Sequence, residues 1–196
     1  MKRVLIIHGW TSRRPKGHWH RRLAAALRAQ GHAVAYPQLP DTDNPTLDAW
    51  LDIVQAELEM LDEVGDGELI VIAHSLGCLT WLHAVMGDRV PSRPSRVLLV
   101  APADPELCGD VATFQINLDD PILRECVAAV ADTTWIIASD ADPWIPRGVY
   151  PTFSAPLRVD SFVIPGAAHL AVDDGWGPWQ GVINWVNDAH ADISIR

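Results

Sequence analysis

A serine sits between two small residues in A-H-S-L-G, positions 73 to 77, directly after the apolar run L-I-V-I and before a stretch of helical character. A serine hydroxyl is a weak nucleophile near neutral pH and needs a neighbouring base to take its proton. The setting of Ser75 supplies a reason to look for one. In a nucleophile elbow, strand, serine and helix follow so closely that the serine backbone is strained, and the positions two before and two after must be small. Here they are Ala73 and Gly77. The usual pattern is G-x-S-x-G, and Ala73 departs from it by one methyl group.

A nucleophile of this kind requires a carboxylate and a histidine, following it in the order Ser, Asp, His at the ends of later strands. The run T-W-I-I-A leads into S-D-A-D-P-W-I-P, offering Asp140 and Asp142, and S-F-V-I leads into P-G-A-A-H-L, offering His169. Asp142 is the preferred acid because it lies deeper in its loop and is followed by Pro143 and Pro146; Asp140 remains a rival. Acyl transfer also builds negative charge on an oxygen, which backbone N–H groups must meet. Leu76, directly after the serine, and Trp10, in the H-G-W-T bend after the first apolar run, are the expected donors. His8 is expected to shape that bend by a hydrogen bond. His74, Trp10, Trp144 and Trp176 are read as substrate-binding residues lining or rimming the site, and Trp50, Trp81, Trp135 and Trp185 as packing residues. His18 and His20 come closest to metal-ligand spacing, but no H-E-x-x-H or Cys/His cluster accompanies them, so neither a metal nor a cofactor is expected.

These side chains need elements to hold them. Short β-branched runs from Arg3, His32, Leu69, Arg96, Thr134 and Ser161 alternate with stretches of helical period, the rhythm of stacked βαβ units. One helix is expected from Trp19 to Gly31, its C-terminal glycine, and another from Leu47 to Leu61, where apolar residues recur every three or four positions; others are expected over 76–87, 120–131 and 179–189. The fold class is α/β: one mostly parallel six-stranded sheet with helices on both faces, in a single domain over 1–196. The stretch from Pro102 reads as the longest irregular segment and a candidate wall of the site.

Composition narrows the classes of function. The chain has 196 residues, 48% hydrophobic, with a formal net charge of -10. That charge argues against general affinity for nucleic acid or anionic membrane. Residues 1–40 contain no acidic side chain and carry Arg13, Arg14, Lys16, Arg21, Arg22 and Arg28 around the first helix, read as a solvated face. Three cysteines, Cys78, Cys108 and Cys126, lack disulfide or zinc-ribbon spacing and are expected as reduced thiols. The stretch from Leu69 to Met86 is interrupted by His74, Ser75, Thr80 and His83, unlike a membrane span. A cytoplasmic protein, monomer or homodimer, is the expectation.

The sequence resembles the small α/β-hydrolases of the retinoblastoma-binding protein 9 type, a family of bacterial serine hydrolases or esterases. The resemblance rests on H-G at 8 and 9 followed by His18 and Trp19, on Y-P-Q-L-P, A-H-S-L-G and S-D-A-D-P-W-I-P, and on A-H-L leading to G-W-G-P-W-Q-G, and it spans nearly the whole chain. It implies the α/β-hydrolase fold and carries the family's nucleophile, acid and base onto Ser75, Asp142 and His169. Ala171 stands where the family usually has an asparagine. A chain of this length has little room for a cap domain, so an open pocket is expected. The reaction read from these features is hydrolysis of a small to medium carboxylic ester, a small-molecule substrate. Amide or thioester cleavage by the same residues, or a non-catalytic protein-binding module on this scaffold, are the alternatives.

Overall fold

The computed structural model describes residues 1–196. Six strands, β1 (Lys2–Ile7), β2 (Ala33–Ala35), β3 (Glu68–His74), β4 (Arg96–Val100), β5 (Thr133–Ala138) and β6 (Asp160–Val163), form one sheet in the order β2-β1-β3-β4-β5-β6. Every pairing is parallel, so the sheet is wholly rather than mostly parallel. The helices are α1 (Trp19–Ala29), α2 (Leu47–Glu63), α3 (Leu76–Met86), α4 (Pro121–Val130), the single turn α5 (Ala155–Leu157) and α6 (Gln180–Asn187). No connection between strands carries an inserted domain, and no helix is long and apolar enough to cross a membrane.

Side chains along a strand alternate between faces, and the two cores follow that alternation. Leu5, Ile7, Val71, Ala73, Val97 and Leu99 face a core completed by α2, α3 and α4. Val4, Ile6, Ile70, Ile72, Leu98 and Val100 face a second core completed by α1 and α6. Strands buried on both faces read as continuous apolar runs, which is why L-I-V-I and R-V-L-L-V were recognisable.

The first connection carries the chain outward from β1 to β2, and the second brings it back past β1 to β3. The sheet order therefore reverses between β1 and β3, and a crevice opens there beyond the carboxyl ends of the strands. The residues that follow those two ends are His8–Trp10 and Ser75. The segment expected to be irregular from Pro102 contains two short 3-10 stretches, Pro105–Leu107 and Gly109–Phe114. Trp135 is not a packing residue: it lies 41% exposed on β5. Its neighbour in the sheet, β6, is the edge strand.

Candidate active site

Ser75 terminates β3 and precedes α3 with φ 56° and ψ -126°, a conformation that non-glycine residues adopt only under constraint. The constraint is visible in its neighbours. A Cβ on Gly77 would stand 2.6 Å from the carbonyl oxygen of His8 and 2.8 Å from that of Ile7, and one on Gly9 would stand 2.7 Å from Ser75 Cβ. Glycine at 9 and 77 thus lets the ends of β1, β3 and α3 converge. Ala73 fits at the remaining small position, fully buried and paired with Ile7.

The three sequence-predicted side chains meet above this turn. His169 Nε2 lies 2.8 Å from Ser75 Oγ. His169 Nδ1 lies 2.8 Å and 3.0 Å from the two carboxylate oxygens of Asp142, whose side chain is fully buried. A buried carboxylate accepts rather than donates, so Nδ1 carries the proton and Nε2 is left to accept from the serine. Asp142 also accepts from the Trp144 N–H at 2.9 Å. Asp140 faces elsewhere: its Oδ1 accepts from the Gly166 N–H at 2.7 Å, tying the loop after β5 to the loop after β6.

The backbone N–H groups of Trp10 and Leu76 meet no acceptor within the protein. Leu76 opens α3, where the first N–H groups of a helix have no intrahelical partner. Trp10 is held by the hydrogen bonds of its loop: Thr11 N–H donates to Thr42 O at 2.8 Å and the Trp10 indole to Asp43 O at 3.1 Å. His8 shapes that loop as expected, donating from Nδ1 to Gly9 O at 2.9 Å and accepting the Leu39 N–H on Nε2 at 3.0 Å. Burial holds its pKa down, to about 4, so the ring serves as a neutral bridge.

One substrate-binding expectation needs correction. Trp176 does not rim the site; it is 2% exposed, packs edge-on against Trp179 at 4.9 Å, and carries the Arg196 guanidinium over its ring at 4.1 Å. The G-W-G-P-W run folds inward to close the second core. His74 borders the cleft, but it is buried and its ring donates from Nε2 to the carbonyl oxygen of His169 at 3.0 Å. It packs against Trp19, His18 and His20, and burial first, then the neighbouring imidazoles, push its pKa well below the ordinary histidine range. It braces the His169 loop from the edge of the cleft. Trp10 and Trp144 do line the cleft, their rings 6.4 Å apart.

The sequence reading missed Asp174 and the indole of Trp19. Asp174 Oδ2 accepts from the N–H groups of His169 and Ala171 at 3.0 and 3.1 Å, bracing the loop without the asparagine absent at 171. The Trp19 indole donates to Leu170 O at 2.9 Å. The only signal for Asp174 was an acid five residues past the histidine and just before a glycine. His18 and His20, weighed as metal ligands, instead stack at 4.1 Å, with His18 Nδ1 accepting the His20 N–H as the N-cap of α1.

Ser75, His169, Trp10, Trp144, His74 and Asp174 border a cleft of about 760 Å³. Over 179 residues the chain is 24% identical to YdeN of Bacillus subtilis (strain 168), a protein named as a hydrolase, covering 89% of each chain. The solved structure of that ydeN gene product superposes with a TM-score of 0.75 at 22% identity, covering 95% of this chain and 97% of that one. A YdeN-like hydrolase from Pectobacterium atrosepticum superposes at 0.71 with 21% identity over 100% and 94% of the two chains. An esterase domain from Rhodothermus marinus superposes at 0.60 with 18% identity over 89% and 82%. At these identities the structures speak to a shared α/β-hydrolase fold. Residues 4–188 match the family model described as serine hydrolase, and the chain belongs to that family.

Proposed function

We propose that this serine hydrolase cleaves small to medium carboxylic esters through an acyl-enzyme on Ser75, with His169 as base and acid and Asp142 as its orienting carboxylate. The observation that carries the reading is the unbroken line from Ser75 Oγ through the imidazole to Asp142, with 2.8 Å contacts on both sides of the ring. His169 Nε2 takes the hydroxyl proton as Oγ bonds to the substrate carbonyl carbon. The negative charge that forms on the carbonyl oxygen is met by the Trp10 and Leu76 N–H groups, each such donor contributing about 3 kcal/mol to the barrier reduction. The carbon–oxygen bond to the alcohol then breaks, and Nε2 returns its proton to the departing oxygen. Water repeats the sequence on the acyl-enzyme, releasing the acid and restoring the serine.

An ester is favoured because the cleft lies open to water, which serves as acyl acceptor, and because an esterase domain shares the fold. Incubation with a fluorophosphonate probe tests the reading. Wild-type protein is expected to be labelled and Ser75→Ala to be blank, and a matched panel of p-nitrophenyl esters, aryl amides and thioesters is expected to show esters turned over fastest. A folded wild-type protein that takes up no label and turns over no substrate would leave the scaffold as a binding module.

A further inference from the structure

The two walls of the cleft rise from opposite faces of the sheet. On one side Leu76, Cys108 and Val111 belong to the core packed with α2, α3 and α4, and with Ala103 and Leu107 they make an apolar wall. Trp10 leans on the same core, and Trp144 stands beside it. On the other side the loop carrying His169 is anchored in the α1 and α6 core through Ala167 and Leu170. That wall mixes Pro15 and Val172 with Ser12, Asp173 and Asp174, while Arg13 is paired with Asp43, whose carbonyl takes the Trp10 indole.

Acyl transfer fixes which part of a substrate meets which wall. The carbonyl oxygen must point at the Trp10 and Leu76 N–H groups, and the departing oxygen must lie within reach of His169 Nε2, which protonates it. The alcohol is therefore drawn to the His169 side, and the acyl chain is left the direction of the apolar wall. Leu107 and Trp144, 43% and 40% exposed, hold apolar surface open to solvent there. Large apolar side chains exposed at a concave rim are a mark of an apolar ligand.

We infer that the substrate is an ester of an apolar acid with a small polar alcohol, the acyl chain lying along Ala103, Leu107, Cys108 and Val111 and the alcohol on the His169 side beside Ser12 and Asp173. This rests on the ester-hydrolase reading above. Each methylene buried against the wall is expected to raise kcat/KM about two- to fourfold until the wall is covered. The inference assigns that gain to the acid and not to the alcohol.

The test uses two series of substrates with the intact protein. In the first, p-nitrophenyl acetate, butyrate and hexanoate vary the acid; in the second, glyceryl, ethyl and hexyl butyrate vary the alcohol. Activity is expected to climb along the first series, and along the second the glyceryl ester is expected to be at least as good as the hexyl ester. Leu107→Glu, at an exposed position that tolerates charge, is expected to flatten the first gradient, lowering the hexanoate-to-acetate ratio about tenfold, without steepening the second. A gradient that follows the alcohol chain, or one that Leu107→Glu leaves intact, overturns the assignment. Turnover with no gradient in either series sinks this inference alone, whereas absence of turnover together with absence of fluorophosphonate labelling sinks the hydrolase reading beneath it.

Discussion

The loop that presents Ser75 and the loop that presents His169 are held by different means. The serine turn is a matter of backbone: φ 56° at Ser75 is enforced by glycines at 9 and 77, whose missing Cβ atoms let three elements touch. The histidine loop has no such economy. His169 sits between Ala168 and Leu170 at φ 49° and 55°, two non-glycine residues in the left-handed region, each costing about 1–2 kcal/mol. Three side chains hold it there, from His74, Asp174 and Trp19, two of them far away in the chain. A serine aimed by small residues is robust to its surroundings; a histidine aimed by side chains depends on each of them.

The largest expected effect falls on the carboxylate that joins the two loops to the chemistry. Asp142→Asn replaces an acceptor with a group that presents a donor to Nδ1, favouring the wrong tautomer, and kcat is expected to fall by about 10⁴-fold with folding unchanged. Asp140→Asn keeps an oxygen for the Gly166 N–H and is expected to cost only a few-fold. Steady-state kinetics of both variants on one ester decide it, and the reverse order would move the acid to Asp140.

Acid should loosen the supports of both loops, His8 behind the serine turn and His18, His20 and His74 behind the His169 loop. His18 and His8 have their pKa values lowered from 6.5 to about 4, chiefly because burial deprives the cation of water, and His20 and His74 shift the same way. Unfolded chains bind these protons below about pH 6.5 while the folded protein does not. The stability held by each neutral ring is therefore complete above that pH and is lost as pH falls towards 4, by at most roughly 3 kcal/mol for each of His8 and His18. Thermal unfolding followed from pH 7.5 to 4.5 should show a steep drop. In His18→Asn, which keeps an N-cap acceptor for the His20 N–H without a titrating ring, the drop should be shallower. An unchanged profile would place the acid sensitivity elsewhere.

Asp174 sharpens the contrast directly. Removing its carboxylate in Asp174→Ala frees the N–H groups of His169 and Ala171 and leaves a strained turn to relax, so kcat is expected to fall about tenfold to a hundredfold, as small misplacements of a catalytic group do. Asp174→Asn retains an acceptor and should recover most of the loss. Fluorophosphonate labelling rates for the two variants read the effect at the serine. Equal rates in wild type and Asp174→Ala would show that the loop holds its shape without this brace.

The same contrast explains what the sequence disclosed. The sheet was legible because its strands are buried on both faces and its helices are amphipathic, except α3, whose residues from Leu76 to Val85 are almost all buried and which was recognisable by its place after Ser75. Ser75, Asp142 and His169 were legible because each follows a strand in a fixed order. Asp174 was not, since an exposed acid near a turn has no periodicity to betray it, and its function depends on which N–H groups the turn presents. Trp176 was misjudged for a related reason. Proximity in sequence to the nucleophile, or to a loop near the site, does not say whether a ring turns outward to the cleft or inward to the core. Here Trp176 turns inward, to Trp179.

The smallest effect is expected at the one methyl group by which the serine turn departs from the common pattern. Ala73 is fully buried in register with Ile7, and its side chain belongs to the core shared with α2 and α3. If the turn were short of space there, Ala73→Gly would relieve it and raise activity. The close approaches that shape this turn are instead made by Gly9 and Gly77. Ala73→Gly should therefore bring no gain in kcat, and should lower stability by about 0.5–1 kcal/mol through the added backbone freedom of a glycine in a strand. Denaturant unfolding together with kcat on a single ester separates the outcomes: a faster enzyme of equal stability would mean that the methyl group, and not the two glycines, limits how closely the elbow can close.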